Sequence, residues 1–177
     1  MRLVTERLLL RPWTDADRDS FAAMVGDPEV MRFYTATRDR AAADAWIDKM
    51  IAGLAACTSH FLAVERREDQ AFVGMVGTAD IPHVLPGNPK VEVGWILDKP
   101  HWGRGYAPEA AAAAIAHGFA TLDVPEIVAF TATINTPSQR VMEKLGMVRR
   151  PEDDFDHPSV PEGHRLRRHV LYRLARP

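Results

Sequence analysis

The sequence predicts a mixed α/β domain: one mixed sheet with helices on its faces. The chain has 177 residues, close to one ordinary domain and short for two, so 1–177 reads as a single domain. Apolar residues make up 46% and charged residues 26%, enough apolar surface to fold around a core. Patterned segments follow the order β-α-α-β-β-β-α-β-α-β-β, an alternation that sets helices against a sheet.

Leu8 to Leu10 gives a short first strand. Thr14 opens a helix through Val25, with Asp17 at capping-box spacing. Trp46, Ile47, Met50, Ile51 and Leu54 recur with helical spacing, so 39–57 is a second, amphipathic helix. Cys57 ends it and reads as a small buried hydrophobe. Phe61 to Glu65 and Phe72 to Ile81 form a hairpin around Arg67 to Gln70. Pro86, Gly87 and Pro89 mark 83–90 as a loop. Val91 to Leu97 is the fourth strand and Pro108 to Leu122 the third helix. Ile127 to Ile134 is the next strand, and Thr136 to Leu145 a helix stopped by Gly146. Short strands follow at Met147 to Arg149 and Arg168 to Leu174.

Several function classes fall away. No apolar run approaches the roughly 18 residues of a membrane span. The amino terminus lacks a signal-peptide layout, since Leu8 to Leu10 is followed at once by Arg11. A lone cysteine permits no internal disulfide and no cysteine-based zinc site. A net charge of −2 gives no global pull toward nucleic acid or anionic lipid. The expectation is a cytoplasmic protein without a metal, a nucleic-acid partner or a membrane partner. Near the carboxyl end, Glu152, Asp153, Asp154 and Asp156 precede Arg165, Arg167 and Arg168. Such runs read as a solvated loop and a charged strand face, or as an acidic lid for a cationic substrate.

The chemistry concentrates between Val91 and Met147. In Trp102-Gly103-Arg104-Gly105-Tyr106-Ala107, a strand leads in and a helix leads out. The glycines let the backbone turn tightly and expose its N–H groups. Pro108 suits the first helical position. The helix then aims its positive end at the loop, a site for a pyrophosphate to which Arg104 adds charge. The alanines at 110–114 let this helix pack close to the sheet. The loop is neither a P-loop nor a dinucleotide fingerprint, because the Gly-Lys-Ser/Thr and the third glycine are missing. A second strand–loop–helix unit follows, where Asn135 or Thr136 caps, Pro137 sits early in the helix and Gly146 terminates it.

This pair of units resembles the GNAT superfamily of N-acetyltransferases, and within it the RimJ/RimL-like branch. Trp102 to Ala110 is similar to that branch's acetyl-CoA pyrophosphate loop, and Asn135, Ser138, Lys144 and Gly146 to its following helix motif. Thr5-Glu6-Arg7-Leu8-Leu9-Leu10-Arg11 resembles its opening strand. The likeness spans roughly 5–149 and names no substrate. It implies a twisted, mostly antiparallel mixed sheet of six to seven strands with about four helices. It implies acetyl-CoA as cosubstrate, held at the pyrophosphate by backbone N–H groups of Gly103, Arg104, Gly105, Tyr106 and Ala107. The fourth strand would splay from the fifth at a bulge, and Ile96 and Leu97 would pair their backbone with the pantetheine arm. Asn135 would bond the arm, and Ser138 would sit near the sulfur as the acid for the leaving thiolate. A homodimer is compatible with the likeness and with four tryptophans in a small chain.

Acyl transfer to an amine needs a neutral nucleophile, a polarised thioester and a stabilised oxyanion. It needs no covalent enzyme intermediate. Glu92 is the first candidate for the general base, on the strand before the loop and sharing a face with Gly94. His83, His101, and the tail residues Asp154, Asp156 and His157 are the others. Tyr106 lies in the loop, while Tyr34 and Tyr172 are placed by no motif. The acceptor is a protein N-terminus or a small-molecule amine, its pocket shaped by 27–58 and 150–165. The rival reading is a non-catalytic module of the same fold that binds or senses acyl-CoA.

Overall fold

The computed structural model describes all 177 residues, in nine strands and four helices. The strands are β1 (Leu3–Val4), β2 (Leu8–Arg11), β3 (Leu62–Arg66), β4 (Phe72–Asp80), β5 (Val91–Leu97), β6 (Glu126–Ala132), β7 (Val148–Arg149), β8 (Phe155–Asp156) and β9 (Arg168–Ala175). The helices are α1 (Arg18–Gly26), α2 (Arg40–Ala55), α3 (Tyr106–Thr121) and α4 (Thr136–Lys144). The sheet runs β1-β2-β3-β4-β5-β6-β9-β7, with β8 beside β9. Every pairing is antiparallel except β5 with β6.

The period of two along the strands sorts side chains onto two faces. Val91 and Val93 of β5 join Leu8, Leu10 and Val64 beneath α3, whose Ala110, Ala111 and Ala114 bring it close to the sheet. Ile96, two positions along from Gly94 and four from Glu92, faces the other way. It packs with Ala63 and Met75 against Phe21, Met24 and Val25 of α1 and Ala43, Ile47 and Met50 of α2.

Local signals set the element ends. Thr14 donates through its N–H and its hydroxyl to Asp17 at 2.8 and 2.9 Å, the capping arrangement read from the sequence. Asp39 caps α2 by accepting from the Ala42 N–H. Gly146, at φ 73°, ends α4: its N–H donates to the Glu143 carbonyl, and the Met147 N–H to that of Met142.

The structure corrects four expectations. The sheet has nine strands rather than six or seven, because β1 and β8 are two-residue pairings defined by their neighbours β2 and β9. Helix α3 begins at Tyr106, so Pro108 stands at its third position, where its missing N–H is still harmless. The fourth predicted strand, β5, does part from the fifth, β6, with which it shares only the pair Glu92↔Val128, but its ladder with β4 runs unbroken from Gly74↔Leu97 to Asp80↔Val91, so no bulge marks the parting. The irregularity lies in the β3–β4 ladder, where Val64 pairs with Gly74 but Glu65 with Phe72. Cys57 is exposed, not buried, because it lies beyond the end of α2 at φ 58°, where the chain leaves the helix.

The entry to α1 depends on a charge cluster. Arg11 of β2 donates to both carboxylate oxygens of Asp17 at 2.8 Å and to Glu65 of β3 at 2.8 Å. Asp17 is 3% exposed. Burial alone would raise its carboxyl, but hydrogen bonds from Arg11 and Thr14 outweigh burial and hold it below the ordinary carboxylate range. Removing one member of such a buried pair strands the other, so Asp17→Asn should destabilise the protein by about 3 kcal/mol in urea unfolding. The folded carboxyl titrates below the unfolded one. Its stabilisation is therefore complete above about pH 4 and lost as acid protonates it, an acid dependence that Asp17→Asn should lack.

Candidate active site

The segment after β5 turns through Gly103 (φ 72°) and Gly105 (φ 79°) before α3 begins. These left-handed angles need glycine, and they turn successive peptide N–H groups outward. The N–H groups of Gly103, Arg104, Gly105, Tyr106 and Ala107 find no acceptor within the protein. They lie at the positive end of a sixteen-residue helix, an arrangement suited to an anion.

This loop is braced from the amino terminus. Glu109 in the first turn of α3 accepts from the Thr5 hydroxyl at 2.6 Å, the Arg7 N–H at 2.9 Å and the Arg7 Nε at 2.7 Å. Arg7 also donates to the Arg104 carbonyl at 2.9 Å and lies 4.8 Å over the Tyr106 ring. Burial pushes the Glu109 carboxyl up, and the bonds from Thr5 and Arg7 pull it below its ordinary value. The opening Thr5-Glu6-Arg7 motif thus has a mechanical task, legible in sequence only as a family likeness. Tyr106, 6% exposed beneath Arg7, is a packing residue.

Beside the loop the sheet opens. Strands β5 and β6 share one register pair, Glu92↔Val128, and beyond it the inner edge of β5 has no strand partner. Ile96 and Leu97 lie on that edge, and the Leu97 carbonyl already accepts from the Trp102 indole at 2.8 Å. Across the opening, Asn135 caps α4 and is nearly buried. Its amide donates to Thr131 Oγ1 at 2.8 Å and Ser138 Oγ at 3.0 Å, and its Oδ1 accepts from the Ser138 N–H at 3.3 Å. Both amide hydrogens are therefore engaged internally, which leaves Asn135 only an oxygen lone pair to offer a ligand. Ser138 Oγ accepts from Asn135, so its own hydrogen is free to donate.

Glu92 is half-buried on β5 at the point where the strands part, and burial lifts its carboxyl to about 7. Tyr34, from the segment between α1 and α2, stands near it. Its phenol is raised first by burial and then by the Glu92 charge, while Arg38 opposes the rise. Tyr34 remains 40% exposed and meets the Trp46 ring edge-on at 6.4 Å, so it walls a cleft rather than a core. No sequence spacing marks Tyr34, because only the folding of 27–39 over the sheet brings it to Glu92.

The other base candidates have different surroundings. His101 is 8% exposed behind Tyr106, and its Nδ1 has no partner. Burial and then Arg66 lower its pKa. His157 stacks among Phe130, Phe155 and His169, accepts the Ser159 N–H at Nδ1, and is lowered to about 4 by burial and then by His169 and His83. His83 packs edge-on against His157 at 5.7 Å. Asp153 pairs with Arg173, Asp154 with Arg149, and Asp156 with Arg167 and Arg168. These pairs engage three of the four tail acids and leave only the exposed Glu152 unpaired, so the stretch is a solvated charged surface rather than an acidic lid. No group of three or more His, Cys, Asp or Glu side chains is arranged to hold a metal, and no helix is long and apolar enough to cross a membrane.

Residues 7–148 match the Acetyltransferase (GNAT) domain family. An uncharacterised N-acetyltransferase of Bacillus licheniformis, p20, is 31% identical over 149 residues, 81% of this chain and 80% of that protein. The crystal structure of a GNAT-family acetyltransferase from Bacillus anthracis superposes with a TM-score of 0.80 at 26% identity, covering 99% of this chain and 98% of that one. RimL, the ribosomal L7/L12 alpha-N-protein acetyltransferase solved with coenzyme A, shares the fold at a TM-score of 0.79 and 13% identity, covering 99% of this chain and 98% of its own. With the family matched from the first long strand through the second loop–helix unit, this chain belongs to the GNAT acetyltransferases.

Proposed function

We propose that this enzyme transfers the acetyl group of acetyl-CoA directly to a primary amine, with both reactants bound together. The observation that carries this reading is Glu92: a carboxylate without an ion-pair partner, lifted to about 7, where the sheet opens beside the anion-binding loop. Acetyl-CoA, when bound, supplies an activated acetyl thioester. The free N–H groups of Gly103, Arg104, Gly105, Tyr106 and Ala107 suit its pyrophosphate, with the Arg104 charge beside them. The unpaired edge of β5 at Ile96 and Leu97 suits its amide-bearing arm. Asn135 fixes Ser138 and leaves its hydroxyl hydrogen to donate.

In this reading Glu92 accepts the proton that the amine loses, Ser138 gives its hydrogen to the departing thiolate, and the new bond joins nitrogen to the acetyl carbon. The name of p20 and the alpha-amino target in the description of RimL support an amine acceptor.

Glu92→Gln should lower kcat about 100-fold and leave the acetyl-CoA Kd unchanged by calorimetry. Full activity would remove Glu92 as the base. The wild-type rate should rise as pH passes through about 7, the value to which burial lifts Glu92, and this inflection should vanish in Glu92→Gln. Gly105→Val places a branched side chain at φ 79° in the loop. It should abolish the thermal stabilisation by acetyl-CoA, which for the wild type at about 100 times Kd is roughly 2.7 kcal/mol. Far-ultraviolet circular dichroism checks that the variant folds. Acetyl-CoA binding without acetylation of any amine would replace this reading with a non-catalytic acyl-CoA-binding module.

A further inference from the structure

Two segments meet beside Ala132 at the end of β6: residues 27–39 between α1 and α2, and the tail loop 157–166 before β9. They are fastened together. Arg165 Nη2 donates to the Arg32 carbonyl at 2.7 Å, and Phe33 packs on Ala132, Val160 and Leu166.

Three guanidinium groups stand along this seam, and none has a carboxylate partner. Arg32 donates to the Glu29 carbonyl at 2.6 Å and lies over the Phe33 and Trp102 rings at 4.8 and 4.7 Å. Arg38 lies 6.0 Å over Trp46, the ring that Tyr34 also meets. Arg165 makes only its carbonyl contact. The carboxylates of the same segments are mostly occupied. Glu29 pairs with Lys99, Asp27 accepts the Glu29 N–H, and Asp39 caps α2. Glu162, exposed in the tail loop, is the exception.

Unpaired arginines beside a cleft are built for carboxylates, which they bind with two parallel N–H donors. Arg38 and Arg165 are both exposed; Arg38 belongs to the segment that carries Tyr34, and Arg165 is tied to that segment at the Arg32 carbonyl, while the Tyr34 phenol feels the charges of both Glu92 and Arg38. A polyamine would bring like charges to this rim. Resting on the acetyltransferase reading above, we infer that the acceptor carries a carboxylate beyond its reactive amine, and that Arg38 and Arg165 hold this carboxylate while the amine faces Glu92.

Thiol release is measured with four acceptors: an Ala-Glu-Glu amide peptide, its Ala-Gln-Gln isostere, free glutamate and spermidine. The KM of the acidic peptide should lie about tenfold below that of its neutral isostere, and added salt should erode the difference. Spermidine should be the poorest acceptor. Arg38→Glu and Arg165→Glu should each raise the KM for the acidic peptide at least about tenfold, with the acetyl-CoA Kd unchanged. Arg2→Gln, a remote exposed arginine, is the control and should change nothing. A preference for glutamate over the acidic peptide would assign the carboxylate to a free amino acid, and the reverse to a peptide; either supports the inference. Equal KM values for acidic and neutral peptides, a preference for spermidine, or insensitivity to both reversals would overturn it and leave the acetyltransferase reading standing. Acetyl-CoA binding with no turnover of any amine would overturn both.

Discussion

Strand β5 is held to β4 through seven register pairs, and β6 to β9 through seven more, yet β5 and β6 meet at one. Each strand is therefore fixed by its outer neighbour, and the twist of the two half-sheets is free to part them. The parting leaves backbone donors and acceptors along β5 without a strand partner. Buried peptide groups need partners, so an opening of this kind favours a ligand that itself carries amides. Both candidate surfaces follow from it: the anion loop where β5 ends, and the carboxylate where β5 still touches β6.

Removal from water pushes both Glu109 and Glu92 upward, and hydrogen bonding separates them. Glu109 is buried but receives three hydrogen bonds, and it stays ionised as a brace. Glu92 is buried without such donors, so its charge is disfavoured and its carboxyl rises to about 7. A bracing carboxylate and the proposed proton acceptor thus differ here by their neighbours, not by residue type.

Much of this was legible in the sequence where the signal is local. The cap at Thr14 and Asp17, the stop at Gly146, the bounds of β5 and the left-handed glycines around Arg104 all depend on a few adjacent residues. What depends on distant partners was not legible. Cys57 looked like the end of an apolar face, but the helix stops before it. Strands β1 and β8 exist only because β2 and β9 run beside them. The acidic tail left a lid open as an alternative to a solvated loop until Arg149, Arg167, Arg168 and Arg173 came to meet Asp153, Asp154 and Asp156. Tyr34 and Arg38 lie in a stretch without periodicity, and only the folding of that stretch over Trp46 of α2, with Phe33 packed on the tail, brings Tyr34 near Glu92.

The value at Glu92 also bears on which amine the proposed chemistry suits. A base near 7 can take a proton from an α-ammonium group, which titrates near 7.7–8.0, at a cost of about one pKa unit. A lysine-type ammonium near 10.4 would cost about three units more than a matched pair, or roughly 4–5 kcal/mol before the chemical step begins. That difference is larger than most single contacts in a binding site contribute. It favours an acceptor whose nitrogen is already partly neutral at pH 7, and the α-amine of a peptide with acidic side chains meets that requirement while carrying carboxylates. The electrostatics of the proposed base and the unpaired arginines of the rim, which arise from separate parts of the chain, are both met by an acidic peptide amine.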